Sequence, residues 1–521
     1  MHTEQAHTQN ATTLTPAVRV ARPALALLLL LALALWNLSG PAPWWDEGWT
    51  LSVARNLAER GHYGRLQAGE LASGGLEASP IITLPVAAAF EVFGVGLWQG
   101  RLFSALCTVG ALLLMWWLAA QLFDRRIAAV TLATLLLLSA HPQLNPLLLG
   151  RQALGELPML LFALGGYAAL LAALRGRALW IIPAVLLWWL ATNSKAQFMP
   201  FWVISLLAPL LVALLWRQWR AAILLVLALV AGYLVQTPLT LLLLQAIGER
   251  RMVGEPVEGL LDVVAVVTQS FNRIYALQNL LFFAMPAALG LLWGAWRTLS
   301  FARSAPPDAA LLVRISLLAL AGSWMGWFAL LSVGVPRYLF PAAFVGALFA
   351  AALLADLTGG YNLLATLRSL TAPRRNLRAC IGGWLAILLV AATLPLTLLG
   401  YARYYPVRDE SAQRVAALLD AQVAPEQLIE TYEAELHFFL NRRYHFPPDQ
   451  THVELNRRSL LRQETPISYD PLAADPDYLV VGTFARGNRL YADVIARGDF
   501  ELLQRDGPYE VYQRVRTGET P

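Results

Sequence analysis

Charge is scarce in this chain. Of 521 residues, 14% are charged and 57% hydrophobic, and the mean hydropathy is +0.53. Soluble domains carry about 25% charged residues, so the composition excludes a soluble globular protein and implies a polytopic membrane protein. Lysine is almost absent. Lys195 is the only one, and every other basic side chain is arginine or histidine. Arginines are spread over the short loops between apolar runs and the C-terminal region, so the net charge of +5 does not make a nucleic-acid patch. Cysteine is limited to Cys107 and Cys380, both within or at the edge of expected spans, which argues against a disulfide framework. No CxxC pair, zinc spacing or HExxH pattern occurs, and His62, His141 and His437 are scattered. No metal or cofactor is therefore assigned. A divalent cation held by Asp46 and Glu47 stays open, since hard cations take carboxylates.

What is present is a succession of apolar runs. We expect an α-helical polytopic membrane protein with about eleven transmembrane helices, at about residues 23–38, 98–123, 127–144, 157–174, 178–190, 198–216, 221–244, 274–296, 315–333, 339–357 and 381–401. Residues 1–22 are expected to be a disordered cytoplasmic N-terminus, polar through residue 18. Arg19 and Arg22 favour that side. The first apolar run, Ala24 to Trp36, has no clear Ala-x-Ala site after it and is read as a retained span rather than a signal peptide. The arginine-rich turns after the second, fourth, sixth, eighth and tenth spans then all face the cytoplasm, the positive-inside pattern. Arg250, Arg251 and Arg273, in an outer loop, are a partial exception. Pro80 to Gly94 is short for a span and contains Glu91. It is read as an interfacial or re-entrant helix, because one more crossing there inverts the charge pattern downstream.

The transmembrane domain thus covers 23–401, with a first external loop at 39–97. Residues 402–521 are charged and alternate helical and strand patterns. They are expected to form a small extracytoplasmic α/β domain, with helices near 410–419 and 487–496 and strands near 427–432, 478–482 and 509–513.

The first external loop opens with Pro41-Ala-Pro-Trp-Trp-Asp-Glu-Gly-Trp-Thr50. Trp45, Trp49, Val53 and Leu57 recur every four residues, which predicts an amphipathic helix lying in the membrane interface. Aromatic residues anchor at that depth and hold Asp46 and Glu47 at the lipid surface. Both acids also read as ordinary helix-start residues, Asp46 as a cap and Glu47 as first-turn charge. The same topology puts Arg151, Glu156, Lys195 and Arg337 on the outer face. Charges near membrane depth are costly and usually functional. Each has a plainer alternative: Lys195 and Arg337 snorkel to the head groups, and Arg151 pairs with Glu156.

Several stretches carry a resemblance. Pro43-Trp-Trp-Asp-Glu-Gly-Trp-Thr-Leu-Ser-Val-Ala-Arg-Asn-Leu57 resembles the first external loop of the C-type glycosyltransferase superfamily, in particular the bacterial protein-mannosyltransferase and aminoarabinose-transferase-like members (glycosyltransferase family 39 and its neighbours). Gly100-Arg-Leu-Phe-Ser-Ala-Leu106 is similar to the stretch entering that family's second span. Arg151-x-x-x-x-Glu-x-Pro158 resembles its second external loop, where many members have Asp instead of Glu. Ala191-Thr-Asn-Ser-Lys195 resembles its Leu-Thr-Lys element, and Arg337-Tyr338-x-x-Pro341 its Arg-Tyr-x-x-Pro element. The stretch from Glu430 through Tyr512 is similar to the external domain of many members. One departure stands out: this chain has Ala78-Ser-Pro80 where the family often has His-Pro-Pro or Lys-Pro-Pro.

The resemblance implies a glycosyltransferase that moves a sugar from a polyprenyl-phosphate donor to an acceptor hydroxyl on a protein, lipid or glycan. It implies a bacterial inner-membrane protein with an extracytoplasmic site. Asp46 is the expected catalytic base with Glu47 as helper. Arg337, Lys195, Arg151, Glu156 and Tyr338 are the expected substrate-binding residues, the cations facing the donor phosphate. Membrane lipids are the other expected partners. Two other readings remain: a transporter or flippase for a lipid-linked glycan, and a non-catalytic envelope-assembly protein. The discriminating observation is whether Asp46, Lys195 and Arg337 meet in one cavity.

Overall fold

A computed structural model of the chain describes residues 16–72, 78–248, 259, 262–263, 265–371 and 377–516. Arg250, Arg251, the segment before residue 16 and the side chains of Arg19 and Arg22 lie outside the described residues. All eleven expected apolar runs are helical. Among the described residues, seven helices have the length and apolarity to cross a membrane. They are α4 (Leu97–Leu122), α7 (Glu156–Leu174), α9 (Phe198–Leu215), the continuous pair α10 (Trp219–Leu234) and α11 (Gln236–Ala246), α14 (Ala309–Leu331), α15 (Phe340–Leu357) with the turn before it, and α17 (Leu377–Tyr404). An eighth is formed if α12 (Ser270–Phe283) and α13 (Met285–Ser304) count as one span, although they bend by 88°. Pro286 sits in the first turn of α13, where it supplies no N–H to continue the helix before it.

The remaining expected spans lie in helices outside that set, α1 (Pro16–Leu35), α5 (Arg125–Leu137) and α8 (Ile181–Ser194), and two short helices, α6 (Pro146–Leu149) and α16 (Leu363–Thr371), lie between spans. The apolar run expected at 127–144 goes on past the point where local chemistry stops α5. After α5, Pro142 and Asn145 start new turns, and the Asn145 side chain accepts from the Leu147 and Leu148 N–H groups. Run length in the sequence therefore overstates the length of α5, while α8 runs on to Ser194, past the expected end at 190.

The first loop contains α2 (Trp45–Arg60), a two-strand turn β1 (Leu66–Gln67) and β2 (Glu70–Leu71), and α3 (Pro80–Phe93). The 14 residues of α3 reach about 21 Å, short of the ~30 Å of a hydrocarbon core. It packs against α2 and α4. Glu47, not Asp46, caps α2: its carboxylate accepts from the Trp44 N–H at 3.3 Å.

The C-terminal region is a five-stranded mixed sheet in the order β4-β3-β5-β7-β6. The strands are β3 (Leu428–Thr431), β4 (Arg443–His445), β5 (Tyr478–Val481), β6 (Phe500–Asp506) and β7 (Tyr509–Arg514). β3 pairs in parallel with β4 and β5, while β7 runs antiparallel to β5 and β6. Around it lie α18 (Ser411–Gln422), α19 (Ala434–Phe439), α20 (Asp449–Leu461), α21 (Thr483–Asn488) and α22 (Ala492–Ala496).

This sheet domain is locked onto the first loop. The Asp409 N–H donates to the Gly40 carbonyl at 2.7 Å, and the Arg65 guanidinium forms a bidentate pair with Asp449. The tryptophan stripe of α2 is covered by the domain instead of lying open to lipid. Trp45 is 7% exposed. Its Nε1 donates to the Tyr432 carbonyl at 2.8 Å, and its ring stacks on His452 at 4.6 Å. Only Trp44 of the three stays exposed.

Candidate active site

Four chain segments supply the charged side chains of the cavity that matters. Asp46 lies in the first turn of α2. Glu156 is the first residue of α7, Lys195 follows the last turn of α8, and Arg337 sits in a short helical turn, Pro336–Leu339, between α14 and α15. The α7 and α8 ends meet because residue 155 is glycine: a Cβ there would fall 2.3 Å from the Ser194 carbonyl oxygen. The turn carrying Arg337 is pinned by α12. Asn272 donates to the Val333 carbonyl at 3.0 Å and Asn279 to the Gly334 carbonyl at 2.8 Å.

These four side chains form one charge network. An Arg337 terminal nitrogen donates to Asp46 at 2.5 Å. Lys195 Nζ donates to Glu156 at 2.6 Å. Arg337 Nε lies 3.3 Å from the same Glu156 oxygen, but without hydrogen-bond geometry, so this buried N–H has no acceptor. Formal charge sums to zero, two carboxylates against two cations. Glu156 is buried, while 41% of the Asp46 side chain is exposed. Tyr338 stands beside both cations, its ring centroid 5.5 Å from Lys195 Nζ and 5.8 Å from the Arg337 guanidinium carbon. Burial pushes the Asp46 carboxyl upward, and Arg337 beside it, with His452 and Lys195 further off, holds it below the usual aspartate value.

Asp46, Glu156, Lys195 and Arg337 all line a cavity of about 450 Å³. Its polar wall adds Asn193 and Thr240, joined by a 2.9 Å hydrogen bond that Thr240 donates. Ser79, from the departing Ala78-Ser-Pro80 stretch, lines it too. Ile82, Leu154 and Leu244 make it apolar on other sides.

Of the expected site residues, Tyr338 stands beside the cations without lining the cavity, and Glu47 and Arg151 stand elsewhere. The Glu47 carboxylate is fully buried. It takes two hydrogen bonds from Arg101, at 2.6 and 2.8 Å, and one from the Ala153 N–H at 3.0 Å. Arg151 is buried and donates to the carbonyls of Asn37, Tyr404 and Tyr405. Neither lines the cavity, and the pairing partner of Glu156 is Lys195 rather than Arg151. Among the described residues, no group of three or more His, Cys, Asp and Glu side chains is placed to hold a metal.

Sequence reasoning missed Arg101, Asn193, Thr240, Asn272, Asn279 and His452. Asn272 and Asn279 carried a usable signal, since residues seven apart share a helix face and two amides on one face of an apolar helix call for partners. The pairing of Arg101 with Glu47 had none, because the two are 54 positions apart.

No protein-family model matches this chain, and neither does any curated protein. Solved structures do match. ArnT from Cupriavidus metallidurans bound to undecaprenyl phosphate superposes with a TM-score of 0.62 at 17% identity, over 97% of this chain and 100% of that one. The apo state of ArnT gives a TM-score of 0.57 over 97% and 99%. This chain has the ArnT fold. The archaeal oligosaccharyltransferase AglB from Archaeoglobus fulgidus, in complex with an inhibitory peptide and a dolichol-phosphate, gives 0.54 at 12% identity, over 96% of this chain and 75% of that one. The likeness to ArnT and AglB runs through both the helical bundle and the C-terminal sheet domain, since it covers nearly the whole chain.

Proposed function

We propose that this chain is a C-type membrane glycosyltransferase that moves a sugar from a polyprenyl-phosphate donor to an acceptor hydroxyl, with inversion at the anomeric carbon. One observation carries the reading: a half-exposed carboxylate and two cations share one cavity at the end of an apolar bundle. Asp46 takes the proton of the acceptor hydroxyl as its oxygen bonds to the anomeric carbon. The bond from that carbon to the phosphate oxygen breaks, and the electron pair leaves on polyprenyl phosphate. The leaving phosphate gains a negative charge, which Arg337 and Lys195 neutralise. Arg337 Nε, buried without an acceptor, is a ready donor to it. Tyr338 and Glu156 hold the two cations in place.

Asp46 is a poor base while Arg337 holds its pKa down. A donor phosphate that draws Arg337 away frees the carboxylate, so donor binding activates the base. Glu47 and Arg151 act as positioning residues, Glu47 by fixing the start of α2 through Arg101. In this reading the eleven apolar runs span or enter the bacterial inner membrane, and the cavity and residues 402–521 face away from the cytoplasm. The acceptor is a protein, lipid or glycan hydroxyl.

The test is incubation of the purified protein with a panel of polyprenyl-phosphate sugars, following release of polyprenyl phosphate. The wild type releases it from at least one donor. Arg337→Ala lowers that rate by ~10²–10³-fold, the loss typical of one group that stabilises developing charge. Failure to release lipid phosphate from any donor, together with movement of intact donor across a vesicle bilayer, supports a flippase instead.

A further inference from the structure

A second cavity, of about 330 Å³, lies among α13, α14, α15 and the junction of α4 with α5. It is at the far end of the bundle from Asp46. Arg314, one of its lining residues, is in the second turn of α14, whereas Arg337 follows the other end of that helix. The 23 residues of α14 span about 34 Å.

The walls are aromatic and aliphatic, with Phe123, Phe301 and Phe349 among them, and they carry two guanidinium groups and one carboxylate. The Arg314 guanidinium lies over the Phe123 ring at 5.1 Å. Its Nε is buried and has no hydrogen-bond acceptor. Asp308 is the carboxylate acting on it, and one Asp308 oxygen already accepts from the Leu311 N–H at 2.7 Å. Arg297 faces the ring of Phe301 at 5.4 Å. Its distance to Asp356 is 3.9 Å, and Asp356 also accepts from Trp293 at 3.0 Å. The lining thus carries two cations and one carboxylate, with Asp308 acting on Arg314 from outside it, and it leaves a buried donor without an acceptor. Outside the cavity, Trp296, Leu299 and Leu292 are exposed along α13, giving an apolar path away from the charged end.

We infer that this cavity holds the head group of an anionic glycerophospholipid, with the phosphodiester between Arg297 and Arg314 and the acyl chains along α13. A phosphodiester supplies the acceptor that Arg314 Nε lacks, whereas a zwitterionic head group brings its own cation against the two guanidinium groups. Charge-assisted contacts from arginine to phosphate supply the missing acceptor. The apolar walls and the exposed α13 surface favour a lipid over free phosphate. This site is separate from the Asp46 cavity and does not rest on the transferase reading.

Native mass spectrometry of the detergent-purified full chain tests it, with phosphatidylglycerol and phosphatidylcholine in competition. The wild type retains one phosphatidylglycerol with roughly tenfold preference, the size of one charge-assisted contact. The double variant Arg297→Gln/Arg314→Gln loses that preference. Arg217→Gln, which removes an arginine at another helix end, keeps it. Millimolar inorganic phosphate does not displace the lipid. Equal retention of both lipids by the wild type overturns the inference without reliance on any variant. So does an undiminished preference in the double variant, and displacement by inorganic phosphate marks a free-anion site instead.

Discussion

Asp46 and Glu47 are neighbours with opposite environments. The Asp46 side chain is 41% exposed and meets Arg337 in a cavity. Glu47 is sealed between Arg101 and the Ala153 N–H. Removing one partner of a buried pair leaves an uncompensated charge and costs about 3–5 kcal/mol. Glu47→Ala is therefore expected to lower the melting temperature and the yield of folded protein. Activity per folded molecule falls far less than in an Asp46 variant. A thermal melt in detergent beside a specific-activity measurement separates the two effects. Asp46, Lys195 and Arg337 were legible in the sequence because charge is rare in this chain and each one stands out at a span end. Glu47 and Arg151 stand out in the same way, yet their partners are a distant arginine and backbone carbonyls. Sequence distance hides such partners, so rarity alone did not separate cavity residues from buried scaffold.

At the scale of elements, helix α2 couples the cavity to the C-terminal domain. Its first turn bears Asp46, and the next face bears Gly48 against α19. A Cβ at position 48 would come 2.2 Å from the Glu435 Cα and 2.4 Å from its nitrogen. Backbone atoms cannot rotate aside, so Gly48→Ala must push the two helices apart. Overpacking of this kind costs about 1–3 kcal/mol. The expected outcome is faster proteolytic release of residues 402–521 and a loss of transfer activity, both read on the same sample. Unchanged protease resistance would show that the contact yields at no cost. The four-residue spacing of Trp45, Trp49, Val53 and Leu57 did identify a helix with an apolar stripe. It did not say what covers the stripe, because lipid and a folded domain both cover apolar surface. The 88° bend between α12 and α13 was likewise hidden inside one continuous apolar run.

At the scale of the whole molecule, the sheet domain carries a pH response of its own. Burial and the neighbouring Glu435 push Glu433 up to about 8, and burial pushes Glu435 up to about 6. A carboxyl with a raised folded pKa binds more protons folded than unfolded, so stability falls as pH rises between the two values. Buried His437, driven down to about 3, and His452, also lowered by burial, act the other way below the ordinary histidine value. Above about 6.5, where a free histidine is already neutral, the carboxyl effect is unopposed by them. Hydrogen exchange of the β5 and β7 amides is therefore expected to quicken, beyond the intrinsic rate change, from about pH 6.5 to 8. Glu433→Gln should flatten this dependence, and an equal slope in that variant contradicts the assignment. The helical bundle and a C-terminal region with strands were readable from hydropathy and alternation. The short strand β4, paired in parallel at the sheet edge, was not, because three residues carry too little periodicity.

The central claim is that Asp46 accepts the proton of the acceptor hydroxyl. Asp46→Asn keeps the size of the side chain and removes its basicity. The decisive measurement is single-turnover sugar transfer by this variant from a donor that the wild type uses, with donor affinity measured on the same preparation. Donor binding within a few-fold of wild type and a transfer rate lower by ~10²–10⁴-fold, the usual worth of a general base, is the expected result. Transfer at a near wild-type rate by a folded, donor-binding Asp46→Asn protein contradicts the mechanism.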